Sequence, residues 1–166
     1  MEPETPIRGA YWVDPGRLLA GEYPGDPDPA SAAARLQRFA DADVTLFVDL
    51  TEPLELEPYA HLLVDGARHE RRPIPDLGTV ATLEYGEILD LVDGALTAGE
   101  AVYVHCYGGI GRTGTVVALW LVRHGRDGGD PLARLAELRR GVPAARMPSP
   151  QTGSQRRVVE GWRRGG

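Results

Sequence analysis

Lysine is absent from the chain: all 18 basic residues are arginine, so no phosphate loop of the nucleoside-triphosphate kind, which needs a lysine, is encoded. Cysteine is nearly absent, and the single Cys106 excludes an intrachain disulfide. With only four histidines, at positions 61, 69, 105 and 124, no ligand set of zinc spacing can be assembled, and no metal or other cofactor is expected. Long apolar runs are missing too. The longest is the seven residues Val116–Val122, too short to span a bilayer, and the opening MEPETPIRGAYWV has no apolar leader core. The expected setting is therefore cytoplasmic, with no membrane partner. A formal charge of −6 removes the basic surface on which nucleic-acid binding depends, so no nucleic-acid partner is expected either.

What remains is an ordinary composition, 42% apolar and 25% charged over 166 residues, which suits one globular domain with its core over about residues 17–162. Strand and helix patterns alternate along it. Strands are expected at Arg17–Ala20, Thr45–Leu50, Arg68–Ile74 and Ala101–His105. Helices are expected from Asp28-Pro29 through Ala40, over Pro53–Val64, from a Thr79 cap to Gly99, over Gly111–His124, from Asp130-Pro131 through Leu138, and over Arg156–Trp162. Strands separated by helices predict a single α/β domain with a central, mostly parallel sheet of four or five strands and helices on both faces.

Chemistry concentrates where the fourth strand gives way to the next helix, in Val104-His-Cys-Tyr-Gly-Gly-Ile-Gly-Arg-Thr-Gly114. Three glycines let successive backbone N–H groups converge, and the helix adds its positive N-terminal end, which makes an anion cradle. Arg112 stands six residues after Cys106, where a planar guanidinium can grip two oxygens of a phosphate. Donors, helix end and arginine together favour the thiolate of Cys106. Nucleophile and oxyanion clamp thus lie in one loop.

HCYGGIGRT resembles the signature of the protein-tyrosine and dual-specificity phosphatases: His-Cys, five residues, Arg, then Ser or Thr. The resemblance implies a phosphatase-like α/β fold and the hydrolysis of phosphate monoesters, on phosphorylated proteins or small phosphate esters, without a cofactor. It further implies that Cys106 attacks phosphorus to form a phosphocysteine, and that Tyr107, Gly108, Gly109, Ile110, Gly111 and Arg112 bind the phosphate oxygens. Thr113 would donate its hydroxyl to the cysteine sulfur, and His105 would order the loop. The general acid that such a reaction needs is expected at Asp76 in Pro73-Ile-Pro-Asp-Leu-Gly-Thr79, with Asp49 more suited to hydrogen-bonding support. Gln151 or Gln155, after the MPSP segment, matches the glutamine that positions water; Gln155 corresponds to the compact dual-specificity pattern. The stretches LLAGEYP and DLTE also resemble framework segments of compact dual-specificity-like members. Against the larger tyrosine-specific enzymes, Ile-Pro-Asp replaces Trp-Pro-Asp, which implies a shallower cleft.

Two other classes are weighed against this. A catalytically inactive phosphoprotein-binding module commonly lacks one of Cys106, Arg112 or Thr113, all of which are present. Gly109-Ile-Gly-Arg-Thr-Gly114 also spells a dinucleotide fingerprint, but only 52 residues follow it, and Arg134 stands where an acidic residue would contact the ribose.

Overall fold

The computed structural model describes all 166 residues. Its elements run β1 (Ala10–Asp14), β2 (Leu18–Gly21), α1 (Pro29–Asp41), β3 (Val44–Asp49), a single 3-10 turn (Ala60–Leu62), β4 (Arg68–Arg71), α2 (Thr82–Thr97), β5 (Ala101–His105), α3 (Arg112–Arg123), α4 (Pro131–Leu138) and α5 (Gly153–Gly161). The sheet order is β1-β2-β5-β3-β4. β2, β5, β3 and β4 are parallel neighbours, while β1 pairs antiparallel with β2. This is the expected α/β domain, with β5 in the middle of the sheet and its C-terminal end at the crevice where open parallel sheets hold their ligands.

The strand period of two sorts the core into layers. Leu46, Val48, Val102 and Val104 face one layer, with Val116–Val122 of α3 and the apolar sides of α2, α4 and α5. Phe47 and Tyr103 face the other, against Leu36 and Phe39 of α1. α3 is buried along nearly its whole length, which explains why its sequence is apolar without a polar stripe. Helix starts follow side-chain caps: Asp28 accepts from Ser31 N at 2.9 Å, and Asp130 from Ala133 N at 3.1 Å.

Several boundaries differ from the sequence expectation. β1 lies outside the expected strands; Tyr11, Trp12 and Val13 are buried by pairing on β2, so the core begins well before residue 17. The helix expected over Pro53–Val64 is an irregular segment holding only the 3-10 turn, because Pro53 and Pro58 lack donors and Leu54 turns to φ 68°. Thr79 does not cap α2: the chain stays extended through Ala81, and the helix starts one residue later without a side-chain cap. β4 ends at Arg71 rather than Ile74, although Arg72 N and Ile74 N still bond Asp49 O and Leu50 O. α5 starts earlier than Arg156, at Gly153.

Candidate active site

β5 delivers His105 and Cys106 to the C-terminal edge of the sheet, and the chain then wraps from Tyr107 to Gly111 before entering α3. None of the backbone N–H groups from Tyr107 to Arg112 donates to a protein acceptor. Unmade donors at a helix start are the physical definition of an anion site. The wrap depends on Gly109, which has φ +71° and packs so closely on β2 that a Cβ there would lie 2.4 Å from the carbonyl carbon of Gly21. Ser149 Oγ ties the loop from the other side by donating to Ile110 O at 2.6 Å.

Cys106 is 3% exposed and lies at the floor of a cavity of about 230 Å³, with Tyr107, Gly108, Ile110, Gly111 and Arg112 around it and Asp76, Leu77 and Gln151 on the rim. A larger open groove, about 660 Å³, lies near Trp12 and the end of α1 and includes neither Cys106 nor Arg112.

Arg112 is buried and fixed from several directions. Nη1 and Nη2 each donate to Glu55 at 2.8 Å, Nη1 also donates to Ile74 O at 3.1 Å, and Nη2 lies 3.3 Å from Asp76 Oδ1. Burial is the largest single influence and works against its charge, but the Glu55 hydrogen bonds together with the nearby Cys106, Glu55 and Asp76 groups overcome it and raise the Arg112 pKa. The same bonds hold the Glu55 carboxyl below its ordinary value. No sequence motif marks Glu55, which sits in the irregular segment after β3.

Asp76 hangs over the pocket on the loop between β4 and α2, 64% exposed at its side chain. Gly78 N closes the turn onto Pro75 O at 2.8 Å, and Leu77 takes φ 62°.

Behind the loop, His105 is fully buried. Its Nδ1 faces Cys106 O at 3.0 Å, and a carbonyl only accepts, so this nitrogen carries the proton. Nε2 then accepts from Tyr59 Oη at 2.5 Å. Burial lowers the His105 pKa despite nearby Asp49, in keeping with a neutral ring. Asp49 lies away from the pocket, accepting from His69 Nε2 at 2.8 Å and from Thr51 N and Oγ1 at 2.9 and 2.6 Å. Burial, the largest single influence, would raise its pKa, but the His69 bond, the neighbouring His105 and the Thr51 bonds together lower it well below the carboxylate range. His69 and Tyr59 carry no sequence motif; the β3–β4 register brings His69 here, and the irregular segment after β3 brings Tyr59.

Two side chains are placed otherwise than the resemblance implies. Thr113 Oγ1 is buried without a hydrogen-bond partner, so the expected donation to the sulfur is not made. Gln155 does not face the pocket with a free amide: its Oε1 accepts from Gln151 N and Thr152 N at 3.0 and 3.1 Å, and its Nε2 donates to Gly78 O at 3.2 Å. It completes a capping box for α5 with Thr152 and braces the Asp76 loop. Gln151 lines the cavity instead.

Residues 24–126 match the family model described as Tc-R-P, the DSP-PTPase phosphatase of polymorphic toxin systems. The chain belongs to this phosphatase family. A protein of Invertebrate iridescent virus 3 named as a tyrosine phosphatase, 067L, is 38% identical over 94 residues, covering 52% of this chain and 38% of the viral protein. The phosphatase-family chain thus spans well under half of that relative. Among solved structures, Tk-PTP in its active form is 29% identical, with a TM-score of 0.72 over 92% of this chain and 94% of that one. P. aeruginosa TpbA in complex with pTyr superposes with a TM-score of 0.71 at 19% identity, over 97% of this chain and 88% of the other, and shares the fold. No helix of this phosphatase-family chain is long and apolar enough to cross a membrane.

Proposed function

We propose that this chain is a cysteine-dependent phosphatase that hydrolyses phosphate monoesters through a phosphocysteine intermediate, acting on phosphotyrosine and on phosphoserine or phosphothreonine of proteins. One phosphatase domain spans the whole chain on this reading, and its setting is the cytoplasm. The carrying observation is the ring of unpartnered N–H groups from Tyr107 to Arg112 around the buried Cys106 thiol.

In the proposed reaction the phosphoryl oxygens take the free N–H groups and the side of the Arg112 guanidinium that Glu55 does not occupy. The Cys106 thiolate forms a bond to phosphorus as the bond from phosphorus to the ester oxygen breaks. A protonated Asp76 carboxyl passes its proton to that leaving oxygen. Water, placed by Gln151, then attacks phosphorus; Asp76 takes one of its protons, the P–S bond breaks, and the thiolate and inorganic phosphate are restored. His105 supports the loop by donating to Cys106 O, with Tyr59 fixing its ring from behind. The cavity mouth is lined by Leu77, Tyr107 and Ile110, side chains without charge, so an aromatic or peptide leaving group fits better than a highly charged one.

The test is hydrolysis of p-nitrophenyl phosphate and of phosphotyrosine and phosphothreonine peptides without added metal. Cys106→Ser is expected to lose turnover while still binding vanadate or phosphate. Asp76→Ala is expected to slow release of poor leaving groups by about 10²–10⁴. Phosphopeptide binding by the wild type with no cleavage would transfer the chain to the class of phosphate-recognition modules.

A further inference from the structure

A second, smaller cavity of about 60 Å³ lies against Gly108 and Gly109 and is also lined by Tyr11, Glu22 and Arg139. Arg139 is 2% exposed, yet both its Nη atoms donate only to neutral carbonyls, Met147 O at 3.1 Å and Ala144 O at 3.2 Å, and its Nε has no partner. No carboxylate forms an ion pair with Arg139. The Tyr11 hydroxyl is likewise buried and unpartnered, and burial keeps the phenol protonated and therefore able to donate. A buried guanidinium is ordinarily paired, and a buried donor is ordinarily satisfied. Here two side chains that line one space each keep a buried donor without an acceptor, the Arg139 Nε–H and the Tyr11 Oη–H. The remaining polar side chain, Glu22, has its carboxylate drawn toward Arg35 at 3.5 Å.

We propose that this cavity is a binding site for a small monovalent anion of halide size, held by Arg139 Nε–H and Tyr11 Oη–H. Its volume admits one such ion or one or two waters, and is too small for a phosphate ester. The ion would neutralise the Arg139 charge and prop Gly108 and Gly109 from behind. The site is separate from the catalytic pocket, and its test reads no turnover, so it stands or falls apart from the proposed activity.

Crystals grown with inorganic phosphate, which fills the catalytic pocket, are soaked in sodium bromide and measured at the bromine edge. An anomalous peak within hydrogen-bonding distance of both donors is expected in the wild type and not in Arg139→Gln. Because Arg139→Gln removes carbonyl bonds and risks misfolding, Tyr11→Phe supplies the second variant, with only one hydroxyl deleted. In solution, bromide against gluconate at equal ionic strength is expected to raise the wild-type Tm, with half-saturation shifted about tenfold higher in Tyr11→Phe, as for one lost hydrogen bond to an ion. A site filled by water with no anomalous signal, or bromide stabilisation unchanged in Tyr11→Phe, overturns the proposal.

Discussion

Glu55 fixes how Arg112 meets a substrate. By occupying both Nη atoms from one side, while Nη1 is also held by Ile74 O, it leaves the Nε–H and the second N–H of Nη2 for a ligand. Glu55→Gln keeps the shape but weakens a charge-assisted pair, so kcat/KM for aryl phosphates is expected to fall about 10–100-fold. Steady-state kinetics with an unchanged Tm would attribute the loss to arginine placement rather than to folding. His105 gives a pH signature. Its pKa is lowered in the folded chain from an ordinary 6.5, so below that pH the unfolded chain takes up a proton that the native one refuses. Stability from this group is complete above about 6.5 and falls as pH drops toward the lower native value. Asp49, also lowered, adds stability that is lost only in stronger acid, below the ordinary carboxylate range. Thermal melts between pH 7 and pH 5 are expected to show a falling Tm that flattens in His105→Gln; equal slopes would contradict the assignment. The grouping of His105, Cys106 and Arg112 around one pocket was legible because local spacing carries it, and the place of Asp76 over that pocket followed from the resemblance of its PIPDLG loop. Glu55, Tyr59 and His69 were not, because each reaches the site through tertiary contacts that no window of sequence contains.

At the scale of elements, two loops and a helix start are braced together. Gln155 joins the Asp76 loop to the beginning of α5, whereas Gln151 faces the cavity. The two glutamines therefore separate by readout. Gln155→Ala is expected to lower stability by about 1 kcal/mol through the lost cap and to weaken the acid step. Gln151→Ala is expected to keep its Tm and to accumulate the covalent intermediate, seen as a larger burst in rapid-quench experiments. Gly109→Ala would drive a Cβ into the backbone of Gly21 at a positive φ, and the expected result is a loss of anion affinity together with about 1–3 kcal/mol of stability, measured by vanadate titration and denaturant melts. Helices with an Asp-Pro start were readable to the residue, since cap and proline act locally. The segment after β3 departs from expectation because apolar spacing there mimics a helix that Pro53, Pro58 and the positive φ of Leu54 forbid.

For the whole molecule, four parallel strands bring the ends of β2, β5 and β3 to one edge, so the N–H groups of a single loop and the first turn of α3 oppose one ligand. The net charge of −6 is no obstacle, because the cradle and Arg112 create a local positive field within an acidic surface. Alternating strand and helix patterns made the architecture legible. The antiparallel edge strand β1 was hidden because its burial comes from pairing with β2 across a tight turn rather than from its own periodicity. The claim on which the account rests is that Cys106 carries the phosphoryl group. Acid quench of a single turnover with an aryl phosphate, followed by peptide mass mapping, tests it directly. The account predicts one phosphoryl group on the Cys106 peptide, enriched in Gln151→Ala and missing in Cys106→Ser; turnover that persists in Cys106→Ser, or proceeds with phosphate on no residue, would contradict it.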